Sequence, residues 1–177
     1  MQFIPATRER KPLWAEIDQT EQKRASAETR YKQAIHCDGT YLDPFLELAR
    51  LYLAENKPQD SEAILSQGLR LSPTAWLLHY QLAAAHYAMG RYQEAAQGFL
   101  TAESIHPDMP AEFHAKLANT YLQTGEYGKA LAEIDTYLRL SPNGRYATNA
   151  RKTAEVLRSD GVTSVEPEVR ASSTGKP

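Results

Sequence analysis

Residues 79–107 read HYQLAAAHYAMGRYQEAAQGFLTAESIHP, and residues 114–142 read HAKLANTYLQTGEYGKALAEIDTYLRLSP. The second stretch repeats the landmarks of the first in the same order and register: an initial His, Leu-Ala three residues on, a central Gly-x-Tyr, an Ala three residues after that Tyr, and a closing Pro. A period of roughly 35 residues indicates one supersecondary unit that is used several times and stacked on itself. The sequence therefore predicts a repeat array.

A further copy precedes these two. Residues 45–52, FLELARLY, have Phe, Leu-Ala and Tyr at the spacing of His79, Leu-Ala and His86 in the middle copy, and Pro73 stands at the position of Pro107. In its second half this copy departs from the middle one, which has Gly, Ala and Phe at the positions of Asn56, Ser61 and Leu65.

Hydrophobic residues within each copy follow helical spacing. In residues 92–105 they fall on one face: Tyr92, Ala95, Ala96, Phe99, Ala102 and Ile105. Gly90 and Gly125 stand where one helix must end and the chain reverse, which suits glycine at a helix C-terminus. The pattern predicts helices near 43–55, 59–71, 74–89, 92–105, 111–124, 127–140 and 145–158.

These landmarks resemble the tetratricopeptide repeat, a helix–turn–helix of about 34 residues with the pattern W-x2-L-G-x2-Y, then A-x3-F, then P. The middle copy has Ala95-x3-Phe99 at the second motif, and the last copy has Ala130-x3-Ile134. The resemblance implies an all-α fold, an α-solenoid of antiparallel helix-turn-helix hairpins.

The repeat register divides the chain into seven segments: an N-terminal segment, 1–13; an N-terminal helix or degenerate half repeat, 14–41; three tetratricopeptide-like repeats, 42–75, 76–110 and 111–144; a capping helix, 145–158; and a disordered tail, 159–177. The half repeat is suggested by Ala27-x3-Tyr31, which resembles the second half of another copy. A capping helix is expected because a solenoid needs a terminal element with a polar outer face.

Composition limits the partners and the chemistry. The 177 residues are 42% hydrophobic, and 20 Lys and Arg against 22 Asp and Glu give a formal net charge of −2. Without a long basic run, nucleic acid is not expected as a partner. Cys37 is the only cysteine, which excludes an intramolecular disulfide and a CxxC pair. No stretch reaches the roughly 18 consecutive apolar residues of a membrane-spanning helix, so we expect no membrane insertion and a soluble, cytoplasmic protein.

The resemblance also implies where a partner binds, because the first helix of each hairpin lines the concave groove of such arrays. The positions that the register directs into this groove are Leu46, Arg50, Leu53, Leu77, Tyr80, Ala84, Tyr87, Glu112, Asn119 and Leu122. Tyr80 and Tyr87 are seven residues apart and so share a helix face, and tyrosine is enriched at protein interfaces. The family's carboxylate clamp is not expected, because Glu112 stands where that clamp has a Lys and would repel a carboxylate.

Residues that suggest catalysis or metal binding have simpler explanations. His79 and His86 lack the i, i+4 spacing of a helical zinc motif, and with His114 they occupy aromatic packing positions of the repeat. Cys37 follows a His but lacks the separately positioned base that a nucleophile needs, and Glu133 is predicted to lie on a solvated helix face. We therefore expect no catalytic residue, no cofactor and no metal, and a protein that is not an enzyme.

The function predicted from these observations is a non-catalytic protein–protein interaction module, an adaptor or assembly factor that binds a partner peptide or helix in the groove. The alternative is a structural subunit or accessory domain whose repeats mediate oligomerisation or the assembly of a larger complex. Under that alternative the repeats build a homo- or hetero-oligomer, and the groove is occupied by a terminus of the chain itself.

Overall fold

The computed structural model describes residues 13–37 and 41–165, with side chains from residue 21 onward. Across these ranges the chain folds into helices without a strand, and none of the helices has the length and apolarity needed to cross a membrane. In chain order the helices are α1 (Leu13–Cys37), α2 (Asp43–Ala54), α3 (Pro58–Leu71), α4 (Trp76–Ala88), α5 (Tyr92–Ile105), α6 (Ala111–Thr124), α7 (Tyr127–Leu140) and α8 (Ala147–Ser159). The prediction of an all-α helical array is confirmed.

Three short turns fold α2 to α7 into hairpins. The chain reverses at Gly90 between α4 and α5 and at Gly125 between α6 and α7, with φ of 73° and 77°, in the left-handed region that glycine enters without strain. Asn56 adopts φ 57° at the same position of the α2/α3 hairpin, and asparagine is one of the few other residues that tolerate this conformation. The first copy therefore keeps the turn despite its different sequence.

Successive hairpins share one core. Phe99 of α5 meets Phe113 of α6 edge to face, with ring centroids 5.7 Å apart at 89°, and both side chains are buried. Within the second hairpin, a Cβ atom at Gly98 would lie only 2.9 Å from the Cβ of Ala83. The small residues thus set a close approach of α4 and α5, and the large rings fill the space between hairpins.

Polar contacts at two of the joints between repeats occur at equivalent positions. Tyr52 donates a hydrogen bond to Glu28 at 3.0 Å, and at the matching positions of the next repeat the Nε2 of His86 lies 3.1 Å from Glu62. Arg91 also donates to Glu62 at 3.0 Å. The contacts of Tyr52 and His86 join α2 to α1 and α4 to α3, so α1 packs on α2 as α3 packs on α4.

The N-terminal element is one continuous helix of 25 residues. Ile35, near its C-terminal end, packs against the cluster around Phe45 and Leu65. The side chains of residues 21–26 are all exposed. The predicted N-terminal segment, 1–13, lies almost wholly outside the described residues.

The C-terminal helix α8 packs on α7, where Arg158 and Asp135 form an ion pair of 2.6 Å. The chain then turns at Gly161, with φ 79°, and continues without regular secondary structure to Val165, whose backbone N–H donates to the carbonyl of Gly128 at 3.0 Å. The predicted tail begins inside α8, and residues 166–177 lie outside the described residues.

Candidate protein-binding surface

The first helices of the three hairpins, α2, α4 and α6, lie side by side, and we call the surface they share the A-helix face. Contact between Tyr80 of α4 and Phe113 of α6, with centroids 6.1 Å apart, joins two of these helices directly. Nine of the ten predicted groove residues are partly or fully exposed: Arg50, Leu53, Leu77, Tyr80, Ala84, Tyr87, Glu112, Asn119 and Leu122.

Leu46 is the exception. Its side chain is 6% exposed and belongs to the core cluster that includes Leu65 and Leu78. The helical register directs it toward α4, where the neighbouring hairpin covers it. Leu46 therefore contributes to the packing of the first two repeats and has little surface to offer a partner.

The centre of the A-helix face carries no formal charge. Helix α4, WLLHYQLAAAHYA, contains no Asp, Glu, Lys or Arg. Its residues Leu77, Tyr80, Ala84 and Tyr87 are half-buried and recur at spacings of three or four, which places them in one row along the helix. Half-buried apolar surface of this kind is available to a partner's side chains without loss of the core beneath it.

Tyr80 is fixed by three contacts. Its ring packs against Phe99 and Phe113, with centroids at 5.7 and 6.1 Å, and the ammonium of Lys116 lies over it at 4.7 Å. This is the geometry of a cation–π interaction. Within the described chain no carboxylate forms an ion pair with Lys116. The sequence analysis did not single out Lys116, although it lies one turn from Glu112 on the exposed side of α6.

Tyr87 is held edge-on against Tyr92, with ring centroids 5.2 Å apart. Burial raises the pKa of the Tyr87 hydroxyl above its ordinary value, and the neighbouring Tyr92 raises it further. The hydroxyl therefore stays neutral throughout the physiological range. It can donate or accept a hydrogen bond beside the apolar row.

Charged and polar side chains lie on the flanks of this row. Arg50 of α2 forms an exposed ion pair of 2.7 Å with Glu47, and on α6 Glu112 and Asn119 are exposed. Exposed pairs of this kind contribute little to stability, about 0.2–1 kcal/mol. They leave polar groups on both sides of an uncharged centre, the usual arrangement of an interface core and its rim.

The histidines make structural contacts. His114 lies 2.8 Å from Glu133, and their side chains are 6% and 0% exposed. The prediction that Glu133 lies on a solvated helix face is therefore wrong, because α6 covers it and supplies a polar partner. The Nε2 of His79 lies 2.8 Å from the carbonyl of Pro73. In the residues that the structure describes, no three His, Cys, Asp or Glu side chains are grouped as metal ligands.

Comparison with known families agrees with this architecture. Models of the tetratricopeptide repeat match residues 46–110 and 111–143, which together make up more than half of the chain. The chain belongs to the tetratricopeptide repeat family. A search of curated proteins with the sequence gave no significant match.

Solved tetratricopeptide repeat structures superpose on the chain. The crystal structure of MamA aligns with a TM-score of 0.69 and 19% identity, over 86% of this chain and 87% of MamA. YrrB, described as a TPR protein with an unusual peptide-binding site, gives 0.65 and 21%, over 74% and 66%. The type III secretion translocator chaperone SycD of Yersinia enterocolitica gives 0.60 and 19%, over 68% and 93%. At these identities the likeness is one of fold.

Proposed function

We propose that this protein is a non-catalytic interaction module that holds a segment of another protein on its A-helix face. The observation that carries the proposal is the uncharged row of α4, with Tyr80 and Tyr87 half-buried between polar flanks. Aromatic side chains that are already packed lose little entropy on binding, and this favours affinity. The chaperone and the peptide-binding protein among the similar structures support a role of this class.

The exposed side of the neighbouring helix α5 is mainly polar. Its exposed positions are Gln93, Glu94, Gln97, Thr101, Ser104 and Ile105, of which only the last is apolar. Interface cores are depleted in charged residues relative to the rest of a surface. The contrast favours the A-helix face as the binding side.

The test is affinity capture from a lysate with the wild type, the double variant Tyr80→Ala/Tyr87→Ala and a matched control, Tyr41→Ala/Tyr127→Ala. The control removes two tyrosines that are 65% and 49% exposed and lie off the α4 row. A protein retained by the wild type and the control but lost from the Tyr80/Tyr87 variant is the expected result, with helicity checked by circular dichroism.

A second variant separates binding from packing. Ala84→Glu removes no contact but places a carboxylate in the uncharged row, and it should abolish retention of the same protein. Retention by every variant would place the binding surface elsewhere. Retention of nothing but further copies of the chain would favour the structural-subunit alternative.

A further inference from the structure

The second helix of each hairpin buries three residues in the core of the array, at one position and then four and seven residues later. In α3, α5 and α7 all nine of these residues are buried: Ser61, Leu65 and Gly68; Ala95, Phe99 and Ala102; Ala130, Ile134 and Tyr137. The triplet lies between the first helix of the same hairpin and the element that follows: Phe99, for example, contacts Tyr80 of α4 and Phe113 of α6. It therefore marks the inner side of a second helix, part of which the preceding helix covers.

Helix α1 has the same triplet one repeat length before that of α3, at Ala27, Tyr31 and Ala34. Here Ala27 and Tyr31 are only half-buried, and Ala34 is exposed. An open hollow lies against this side of α1, lined by Gln22, Lys23, Ser26, Ala27, Arg30 and Tyr31. The adjoining side of α1, with Glu28 and Ile35, contacts α2. By register α1 therefore corresponds to the second helix of a hairpin, and no described helix covers the rest of its triplet.

The charge around the hollow indicates what would cover it. Lys23 and Arg30 lie on either side of Ala27, and no carboxylate of the described chain pairs with either of them. The twelve residues before Leu13 carry three basic residues against one acid and contain two prolines. As an occupant they would bring like charges together.

We propose that the uncovered triplet of α1 is a second docking site, for an amphipathic helix of another protein that carries acidic residues beside its apolar stripe. That helix would complete the hairpin in trans, with its apolar stripe on Ala27 and Tyr31 and its carboxylates beside Lys23 and Arg30. The site is formed by residues of α1 and shares none with the α4 row, so it does not depend on the proposed function.

The first experiment measures whether the triplet of α1 is accessible to solvent. In the full chain with Cys37→Ser, the variant Ala34→Cys is treated with a maleimide, and the reaction rate is compared with that of the exposed thiol of Cys37 in the wild type. We expect similar rates at every protein concentration. Protection at all concentrations would mean that the chain covers the triplet itself, and protection that grows with concentration would mean that a second copy does. Either result would overturn the proposal.

The second experiment tests the chemistry of the occupant. Two labelled helical peptides copy the buried side of α6, with Phe113, Leu117, Ala118 and Tyr121. At all their remaining positions one peptide carries glutamates and the other carries lysines. The acidic peptide should bind and should protect the thiol at position 34. The lysine peptide should bind at least about tenfold more weakly, since like charges then meet at the rim.

Charge reversal supplies the decisive comparison. Lys23→Glu/Arg30→Glu should invert the preference of the protein between the two peptides, whereas the matched control Arg139→Glu/Lys152→Glu, with the same change in net charge, should not. The variant Tyr80→Ala/Tyr87→Ala should bind the acidic peptide as the wild type does, which keeps this site distinct from the A-helix face. Failure of the acidic peptide to bind, or a preference unaffected by the reversal, would refute the proposal.

Discussion

The close approach of α4 and α5 predicts that Gly98→Ala destabilises the protein, although alanine favours helices. In an exposed helix this change stabilises by about 1 kcal/mol. Here the new Cβ would lie 2.9 Å from the Cβ of Ala83 and 3.3 Å from its Cα, and the backbone of a packed helix has no room to retreat. Overpacking by one methyl costs about 1–3 kcal/mol. The difference is a net loss of about 1 kcal/mol in the free energy of unfolding.

The reciprocal change, Ala83→Gly, tests whether this contact causes the loss of stability expected for Gly98→Ala. Ala83→Gly alone should cost about 1 kcal/mol in helix propensity and about 0.8 kcal/mol for the lost buried methyl. In the double variant the methyl moves from α4 to α5, the propensity changes offset each other and the contact distance is relieved. We expect the double variant to lie within about 0.5 kcal/mol of the wild type, so the two sites are coupled by about 3 kcal/mol, at the upper end of the range for contacting residues.

Urea unfolding followed by far-ultraviolet circular dichroism measures all four proteins. The slope of the free energy of unfolding against urea concentration must be the same for each protein. A change in that slope signals a change in the unfolded state or in cooperativity. If the losses of the two single variants simply add in the double variant, to about 3 kcal/mol, the helix spacing is not set by this pair of residues and the reasoning fails.

Three further results are expected. Asn56→Gly should raise the free energy of unfolding by up to about 1 kcal/mol in urea titrations, because it relieves the left-handed backbone; a loss would show that the Asn side chain stabilises the turn. Burial raises the pKa of Tyr52 above its ordinary value of 10.0, so its contribution is complete below about pH 10 and is lost as the pH rises through the raised pKa. Tyr52→Phe should therefore cost about 1 kcal/mol at neutral pH, through the lost hydrogen bond to Glu28, and should lose less stability than the wild type on going to alkaline pH; parallel losses would contradict this. Gly128→Ala should displace the segment after α8 and speed amide hydrogen exchange at Val165 without loss of helix, and unchanged exchange would refute the contact.

The repeat register predicted most of the fold because each landmark has a local physical reason. Gly90 and Gly125 adopt the left-handed turns that their positions imply. Ala95 and Phe99 are buried where the helical spacing puts them. Asn56 shows that the turn can persist when its glycine is replaced. The first hairpin is therefore more similar in structure to the other two than its sequence indicates.

The errors arose where one side chain depends on another that is distant in the sequence. Glu133 has the sequence environment of a solvent-facing acid, and only the packing of α6 against α7 brings it to His114. Leu46 occupies a groove position by register, but its neighbours on α4 bury it. Lys116 acquires its position over Tyr80 in the same way, from contact between helices of different hairpins.

The glycine that follows α8 has a consequence for how long such an array can be. Gly161 adopts the left-handed conformation of Gly90 and Gly125 and stands about one repeat length after the latter, so the chain enters the turn of a fourth hairpin. It then continues to Val165 without regular secondary structure, held to Gly128, instead of as a second helix. Within the described residues the fourth unit is therefore left incomplete. Replacing this segment with the sequence of α5 should complete the hairpin, which makes this point a natural place to graft additional repeats.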